Sequence, residues 1–424
     1  MRIKTLVLLS VLLSINTLYS QSGFFTENWV EYEGRINNNR QEGERTRVSD
    51  RGMSTHPEFS SRYEAQVNGL ALVMVKDTIS QLVMAELICE MWGGHPRTAN
   101  KRFQINGGKT YSLPSEKTAV GNCEYLFPTI KIAETELVIG TNAIQFTCDR
   151  GETFWGHFLL EEIGIRCYYR PDAQFLKRSG LTDFRAVPKF SDINLSESVD
   201  IYLKFDKSYE EKILRVHYFG YYKGYDWNGS GKESQWHGYQ FKRNWNGHIG
   251  TVSEPPYRCN WDTRMIPDQD QPMGILALVE FNNGIKCWSD VSAAFNFPSD
   301  RPHVKLIYCS DMPVPFWSRD GQLKKATFKL PGNPEDIEES QLYLKIWDGG
   351  EGDIKDPFKL SGIPYRITSG NSPHDLVCTI NEVDPASLKK GSNEIELISD
   401  TEHHGIEVCL PGPALVVRYK KYNR

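Results

Sequence analysis

The chain has 424 residues, of which 39% are apolar, 12% aromatic and 24% charged, a composition that excludes a disordered chain or a collagen-like repeat. At roughly 150 residues per domain, the length fits two or three packed domains. Its formal charge of −5, from 49 Lys and Arg against 54 Asp and Glu, gives no general attraction to nucleic acid or to an anionic membrane.

Arg2 and Lys4 precede an apolar run from Leu6 to Leu13, and the small residue Ser20 offers a cleavage point before Gln21. Residues 1–20 therefore read as a secretory signal peptide, and the mature chain as an exported protein, periplasmic or secreted. No later stretch approaches the ~20 uninterrupted apolar residues of a membrane span, so no membrane anchor is expected. The nine Cys have no close C-x-x-C spacing and mostly sit among apolar neighbours, which reads as strand packing rather than a zinc site.

Residues 21–60 are mostly polar and aperiodic and read as an N-terminal arm. Residues 61–180 contain short apolar runs, among them 81–92 and 154–169, punctuated by Gly, Asn, Pro and Asp; these predict the strands of a first β-sandwich. Asn106-Gly107 between two such runs predicts a hairpin. Residues 181–310 repeat the pattern around a long loop-rich interval, as expected of an immunoglobulin-like domain with an insertion. Residues 311–424 read as a C-terminal β-sandwich. The fold class expected is all-β: a jelly-roll (galactose-binding-like) sandwich, a central immunoglobulin-like sandwich and a second jelly roll.

The segment from Tyr221 to Tyr239 combines aromatic planes, glycines, a carboxylate and a His in a stretch too Gly-rich for a regular element. It is the leading candidate site, with a loop packed against a neighbouring domain as the alternative. Tyr222, Trp227 and Trp236 are of the type that stacks on sugar rings, and Asp262 of the type that binds hydroxyls. His95 and Arg97, in a basic loop after a strand, are candidates to complete the substrate site. Asp226, Asn228 and Ser230 match the first half of an EF-hand-like calcium loop, but the closing Glu is replaced by His237 and no helix precedes it. Calcium is the one metal suggested, and no cofactor is required.

The Gly-Tyr-Asp-Trp-Asn-Gly to Trp-His-Gly loop, the Trp-Asp-Thr-Arg-Met-Ile-Pro-Asp-Gln segment and the terminal His-His-Gly-Ile-Glu-Val-Cys-Leu-Pro-Gly-Pro run resemble exported proteins encoded in polysaccharide-utilisation clusters of marine bacteria. One such group comprises dehydratases acting on ulvan oligosaccharides. The resemblance implies removal of water across C4 and C5 of a non-reducing-end uronic acid, and hence an anionic oligosaccharide as partner. That chemistry needs a base for the C5 proton, an acid for the leaving hydroxide and a cation for the carboxylate. By type, His237 or His248, Tyr225, and Arg264 or Arg97 fill these roles. A non-catalytic carbohydrate-binding protein and a glycoside hydrolase are the alternatives.

Overall fold

The structure, a computed structural model, describes residues 23–32, 45–50, 67–94, 98–114, 123–149, 157–190, 197–349, 352–365, 375–402 and 405–421. Every strand pairing among these residues is antiparallel. The chain is mostly β, as its short apolar runs bounded by turn residues predict. Among the described residues no helix is long and apolar enough to cross a membrane.

An eleven-stranded sheet organises the first 290 residues. Its central order is Ser234–His237, Ile213–Lys223, Gly274–Phe281, Lys286–Trp288, Phe24–Trp29, His157–Tyr169, Leu82–Trp92, Tyr125–Leu126. The sheet thus takes strands from both sides of residue 180, because Phe24–Trp29 pairs with His157–Tyr169 on one edge and with Lys286–Trp288 on the other. The expected polar arm supplies two of the strands, Phe24–Trp29 and Thr46–Ser49. Phe24, Phe25 and Val48, scattered among polar residues, are buried and hold those segments in place.

One face of this sheet carries the main core. Ala85, Leu87, Cys89 and Met91 alternate with Ile163, Ile165, Cys167 and Tyr169 on it. A four-stranded sheet of Leu70–Val75, Gly140–Asp149, Ala99–Ile105 and Thr110–Ser112 packs there through Val73, Phe103, Ile144 and Phe146. Its last two strands form the expected hairpin, turned by Asn106 and Gly107 at φ 50° and 74°. A three-stranded sheet, Ala186–Phe190, Ser198–Phe205 and Cys259–Asp262, adds Ile201 and Trp261 to the same core.

The C-terminal part is a separate pair of sheets, six and four strands, closed over Phe328, Leu344, Ile346, Leu360, Ile395 and Val417. It meets the first sheet through an apolar cluster of Trp92, Cys123, Tyr125 and Leu159 with Leu376 and Cys409. Glu407 lies buried in that seam, where Trp92 Nε1 donates to its Oε2 at 3.3 Å. Burial pushes its carboxyl up to about 7, against the lowering effect of Cys123 and Trp92. All nine Cys are free thiols, and six of them are buried.

Candidate functional site

The other face of the large sheet is chemically unlike its core face. Strand alternation sends Glu86, Ile88 and Glu90 to it from Leu82–Trp92, and Arg166 and Tyr168 from His157–Tyr169. A bulge between Leu160 and Glu162 changes the phase of the second strand, so that Glu162 faces Glu90 in register. Trp29 and Trp288 come from neighbouring strands, and Phe219 and Leu276 complete the floor.

A short hairpin, Tyr239–Phe241 with Asn244–Asn246, covers this floor together with Trp236. Its turn residues Lys242 and Arg243 both have positive φ, 47° and 63°, as a two-residue type I′ turn requires. Neither is the Gly or Asn that would adopt this backbone freely, and each costs of order 1 kcal/mol or more. The turn is held by its side chains and backbone: Arg243 donates to Glu162 at 3.3 Å and to the Val30 carbonyl at 2.8 Å, and the Lys242 N–H donates to Glu90 at 3.2 Å. The hairpin is therefore tied directly to the facing carboxylates.

Between floor and hairpin lies a cleft of about 230 Å³, lined by Trp29, Trp236, Trp245, Trp288, Glu90 and Glu162 among others. Trp245 meets Phe219 edge-on at 4.8 Å and lies under the Arg166 guanidinium at 5.7 Å. Arg166 also donates to Glu27 at 2.7 Å and to Gln240 at 3.0 Å. Burial opposes its charge, and Glu27 beside it more than restores it. Behind the cleft an ion network runs from Arg166 through Glu27, Lys286 and Glu280 to Arg215 and His217. Glu280 is held well below the usual carboxylate range: burial works against it, but His217, Lys286 and Arg215 prevail.

Of the residues singled out from the sequence, Trp236 and Asn228 line this cleft. His237 does not: it is buried, stacks on Tyr222 at 3.9 Å and donates from Nε2 to the Tyr222 carbonyl at 2.8 Å. Burial depresses its imidazole to about 4. His248 bonds Thr251 at 2.6 Å, and burial followed by the proximity of His217 depresses it to about 4. Tyr225 and Trp227 turn toward the C-terminal sheets: the Tyr225 hydroxyl donates to the Gly412 carbonyl at 2.7 Å, and Trp227 stacks on Tyr343 at 5.7 Å. The Gly-rich loop therefore packs against a neighbouring unit, the alternative its composition also allowed.

Arg264 and Asp262 form a 2.9 Å surface ion pair at the end of a strand, with Glu339 at 3.4 Å from Arg264. The oxygens proposed for calcium are engaged within the loop. Asp226 accepts from the backbone N–H of Ser230 and Gly231, at 3.1 and 2.7 Å, and from the Gln235 amide at 2.8 Å. Ser230 donates to Gln235 Oε1, and Asn228 accepts from the Ser230 N–H. This is Asx-turn bonding that needs no ion. No group of three or more His, Cys, Asp or Glu among the described residues is placed to hold a metal. His95 and Arg97 lie outside the described residues.

The sequence reading passed over Glu86, Glu90, Glu162, Arg166, Trp29 and Trp288 as site residues. A signal was present: Glu86 and Glu90 within Ala85-Glu-Leu-Ile-Cys-Glu90, and Glu161-Glu162 within an apolar run, are charges inside strands that bury both faces. Buried carboxylates are costly unless paired, so their presence in such runs marks more than packing.

No protein-family model matches the chain, and no curated protein does. Among solved structures it is similar to a β-porphyranase of glycoside hydrolase family 86 from the human gut bacterium Bacteroides plebeius, at 14% identity and a TM-score of 0.24 over 54% of this chain and 37% of that one. BuGH86 in complex with neoagarooctaose matches at 10% identity and 0.26, over 56% of this chain and 35% of that one. The glycoside hydrolase domain of Endo-D from Streptococcus pneumoniae R6 matches at 11% and 0.22, over 54% and 31%. The chain spans about a third of the length of these proteins, and likenesses this remote assign it no activity.

Proposed function

We propose that the chain is a carbohydrate-active enzyme whose oligosaccharide substrate enters the tryptophan-lined cleft, where Glu90 and Glu162 act on a glycosidic bond. The observation that carries this reading is the register: Glu90 and Glu162 are direct cross-strand partners on the cleft face, walled by four indoles. Directly opposed residues have Cβ atoms ~4.5–5.5 Å apart, and like charges so placed destabilise a sheet, so packing alone gives no reason for the pair. Glycosidases use two carboxyls flanking the scissile bond, ~5–5.5 Å apart when the second is a nucleophile. Glu162, ion-paired with Arg243, takes the nucleophile's place, and Glu90 that of the acid and base. The indole faces stack on the sugar rings.

The charge of the cleft bears on the substrate. Glu86, Glu90 and Glu162 line it against one guanidinium, Arg166, which Glu27 already engages. A neutral sugar suits this wall better than the uronate expected from the sequence resemblance. One observation favours uronate dehydration as a second reading: Arg166 is the group type that would clamp a uronic carboxylate. Export on residues 1–20 belongs to the same proposal, and sequencing the mature N-terminus tests it.

The deciding experiment incubates the full chain with neutral and uronic oligosaccharides and follows both new reducing ends and the ultraviolet absorbance of a conjugated unsaturated uronate. Hydrolysis gives the first signal only, and elimination the second. Glu90→Gln and Glu162→Gln should each lower kcat by about 10²–10⁴ while retaining binding. Turnover unchanged in both variants would refute the assignment; binding without either signal would leave a carbohydrate-binding protein.

A further inference from the structure

A second set of chemistry-bearing side chains lies where the cleft floor runs on past Phe219 and Trp245, whose rings meet those of His248 at 5.8 Å and His217 at 6.5 Å. His217 and Thr251 are direct cross-strand partners, which sets their side chains together on the cleft face of the sheet. The Thr251 hydroxyl is 2.8 Å from His217 Nδ1 and 2.6 Å from His248 Nε2. Thr251 is exposed, His248 half-buried and His217 buried, so the hydroxyl is open to a ligand while the imidazole behind it is fixed. His217 Nε2 lies 3.2 Å from Glu280 Oε1, off the straight hydrogen-bond line, as catalytic contacts often are before substrate binds. Arg215 at 2.6 Å and Lys286 at 3.0 Å hold that carboxylate in place.

These neighbours fix the protons. Glu280 stays ionised despite its burial, so His217 Nε2 faces it with an N–H rather than a lone pair. Burial keeps the ring from taking a second proton against the pull of Glu280, with Arg215 and Lys286 working in the same direction as burial, and Nδ1 is left as an acceptor. The Thr251 hydroxyl therefore donates to His217 Nδ1. With its one proton spent, it accepts from His248 Nε2–H, whose ring burial also keeps neutral. A hydroxyl that donates to an imidazole, whose far N–H in turn faces a carboxylate, has the layout of an activated nucleophile.

We propose that Thr251, His217, Glu280 and His248 form a second catalytic site, which hydrolyses carboxylic esters through an acyl group carried on Thr251. As Thr251 Oγ1 bonds to the ester carbon, its proton passes to His217 Nδ1. The carbonyl electron pair moves onto oxygen, where His248 Nε2–H, already beside Oγ1, stabilises the charge. The bond to the leaving alkoxide then breaks, and that oxygen takes the proton from His217. Water repeats the sequence on the acyl–Thr251, giving its proton to His217 and its oxygen to the acyl carbon, and Oγ1 leaves with the returned proton. In net terms an ester and a water become an acid and an alcohol. Glu280 is a positioning residue. The charged and titratable groups facing His217 are Glu280 and Lys286 from the strands beside it, Arg215 on its own strand and His248.

The test incubates the full chain with 4-nitrophenyl acetate, follows release of nitrophenolate, and locates the acetyl group by mass spectrometry after an acid quench. Turnover is expected, with acetyl on the peptide that contains Thr251. Thr251→Val should lower kcat/KM by about 10²-fold or more, while Thr251→Ser, which keeps the hydroxyl, stays within about tenfold of wild type. Thr251 is exposed on a strand and Val suits a strand, so the variant keeps the fold. Equal rates in wild type and Thr251→Val, or a stable acetyl group on other residues and none on Thr251, overturn the proposal. Glu280→Gln should slow turnover and move the acid limb of the pH–rate profile to lower pH, because the carboxylate raises the affinity of His217 for a proton. An unmoved limb overturns the role given to Glu280. The ester assay makes no use of Glu90 or Glu162, so its failure and that of the glycosidase reading are separate results.

Discussion

Glu407 offers a measurement of how the C-terminal sheets are joined to the rest of the chain. Its carboxyl lies in the apolar seam, with one indole N–H and the Cys123 thiol as partners, and its pKa is raised from the ordinary 4.5 to about 7. Between those values the folded protein keeps a proton that the unfolded chain releases, so stability falls as pH rises through this window. The loss levels off above about pH 7, where both states are ionised. At about 1.36 kcal/mol per pH unit, the carboxyl then costs about 3 kcal/mol relative to a neutral group. Glu407→Gln removes the titration and leaves a side chain of similar size. Its stability relative to wild type should therefore increase by about 3 kcal/mol between pH 4.5 and the plateau above pH 7, whatever constant offset the amide introduces. Urea unfolding followed by tryptophan fluorescence at several pH values measures this, since Trp92 and Trp347 flank the seam. Parallel stability curves for the two proteins across that range would show that Glu407 does not hold its proton there.

Other outcomes follow from the same geometry. Trp245→Ala should raise KM for an oligosaccharide about tenfold with little change in kcat, because an aromatic face contributes ~0.5–1.5 kcal/mol beyond its buried area; titration calorimetry on Glu90→Gln checks the binding part. Asp226→Ala should destabilise the chain by about 2–3 kcal/mol through the buried donors it leaves without acceptors, whereas dialysis against chelator should leave the thermal midpoint unmoved. His237→Gln should lower stability through loss of the Tyr222 stack but keep kcat of the folded protein within about twofold, as the ring lies outside the cleft. A collapse of kcat in that variant with stability intact would return the site to the Gly-rich loop.

Which parts of this were legible in the sequence is clearest at single residues. The punctuated apolar runs in residues 81–92 and 154–169 were enough to predict strands, and Asn106-Gly107 enough to predict a hairpin, because both signals are local. Within the Gly-rich loop the residue types suggest chemistry, yet most of them are spent on the loop's own turns and on the C-terminal sheets. Trp236 reached the cleft because it sits on a strand that extends the floor. Arg264 met the nearest carboxylate, as exposed charges commonly do. The thin apolar content of residues 21–60 concealed a strand, since one face of Phe24–Trp29 serves the cleft and needs few apolar residues.

The sequence by itself determined a mostly β chain, the positions of many strands, and the presence of carboxylates inside apolar runs. These follow from side-chain alternation along a strand, a property of neighbours two residues apart. Only the tertiary structure decided that Glu90 faces Glu162, that the bulge sets Glu161 beside Tyr125, and that a hairpin some 150 residues later in the chain covers them. Register between strands depends on which distant segments bury their apolar faces together, and one residue of slip would turn each of these carboxylates to the opposite face.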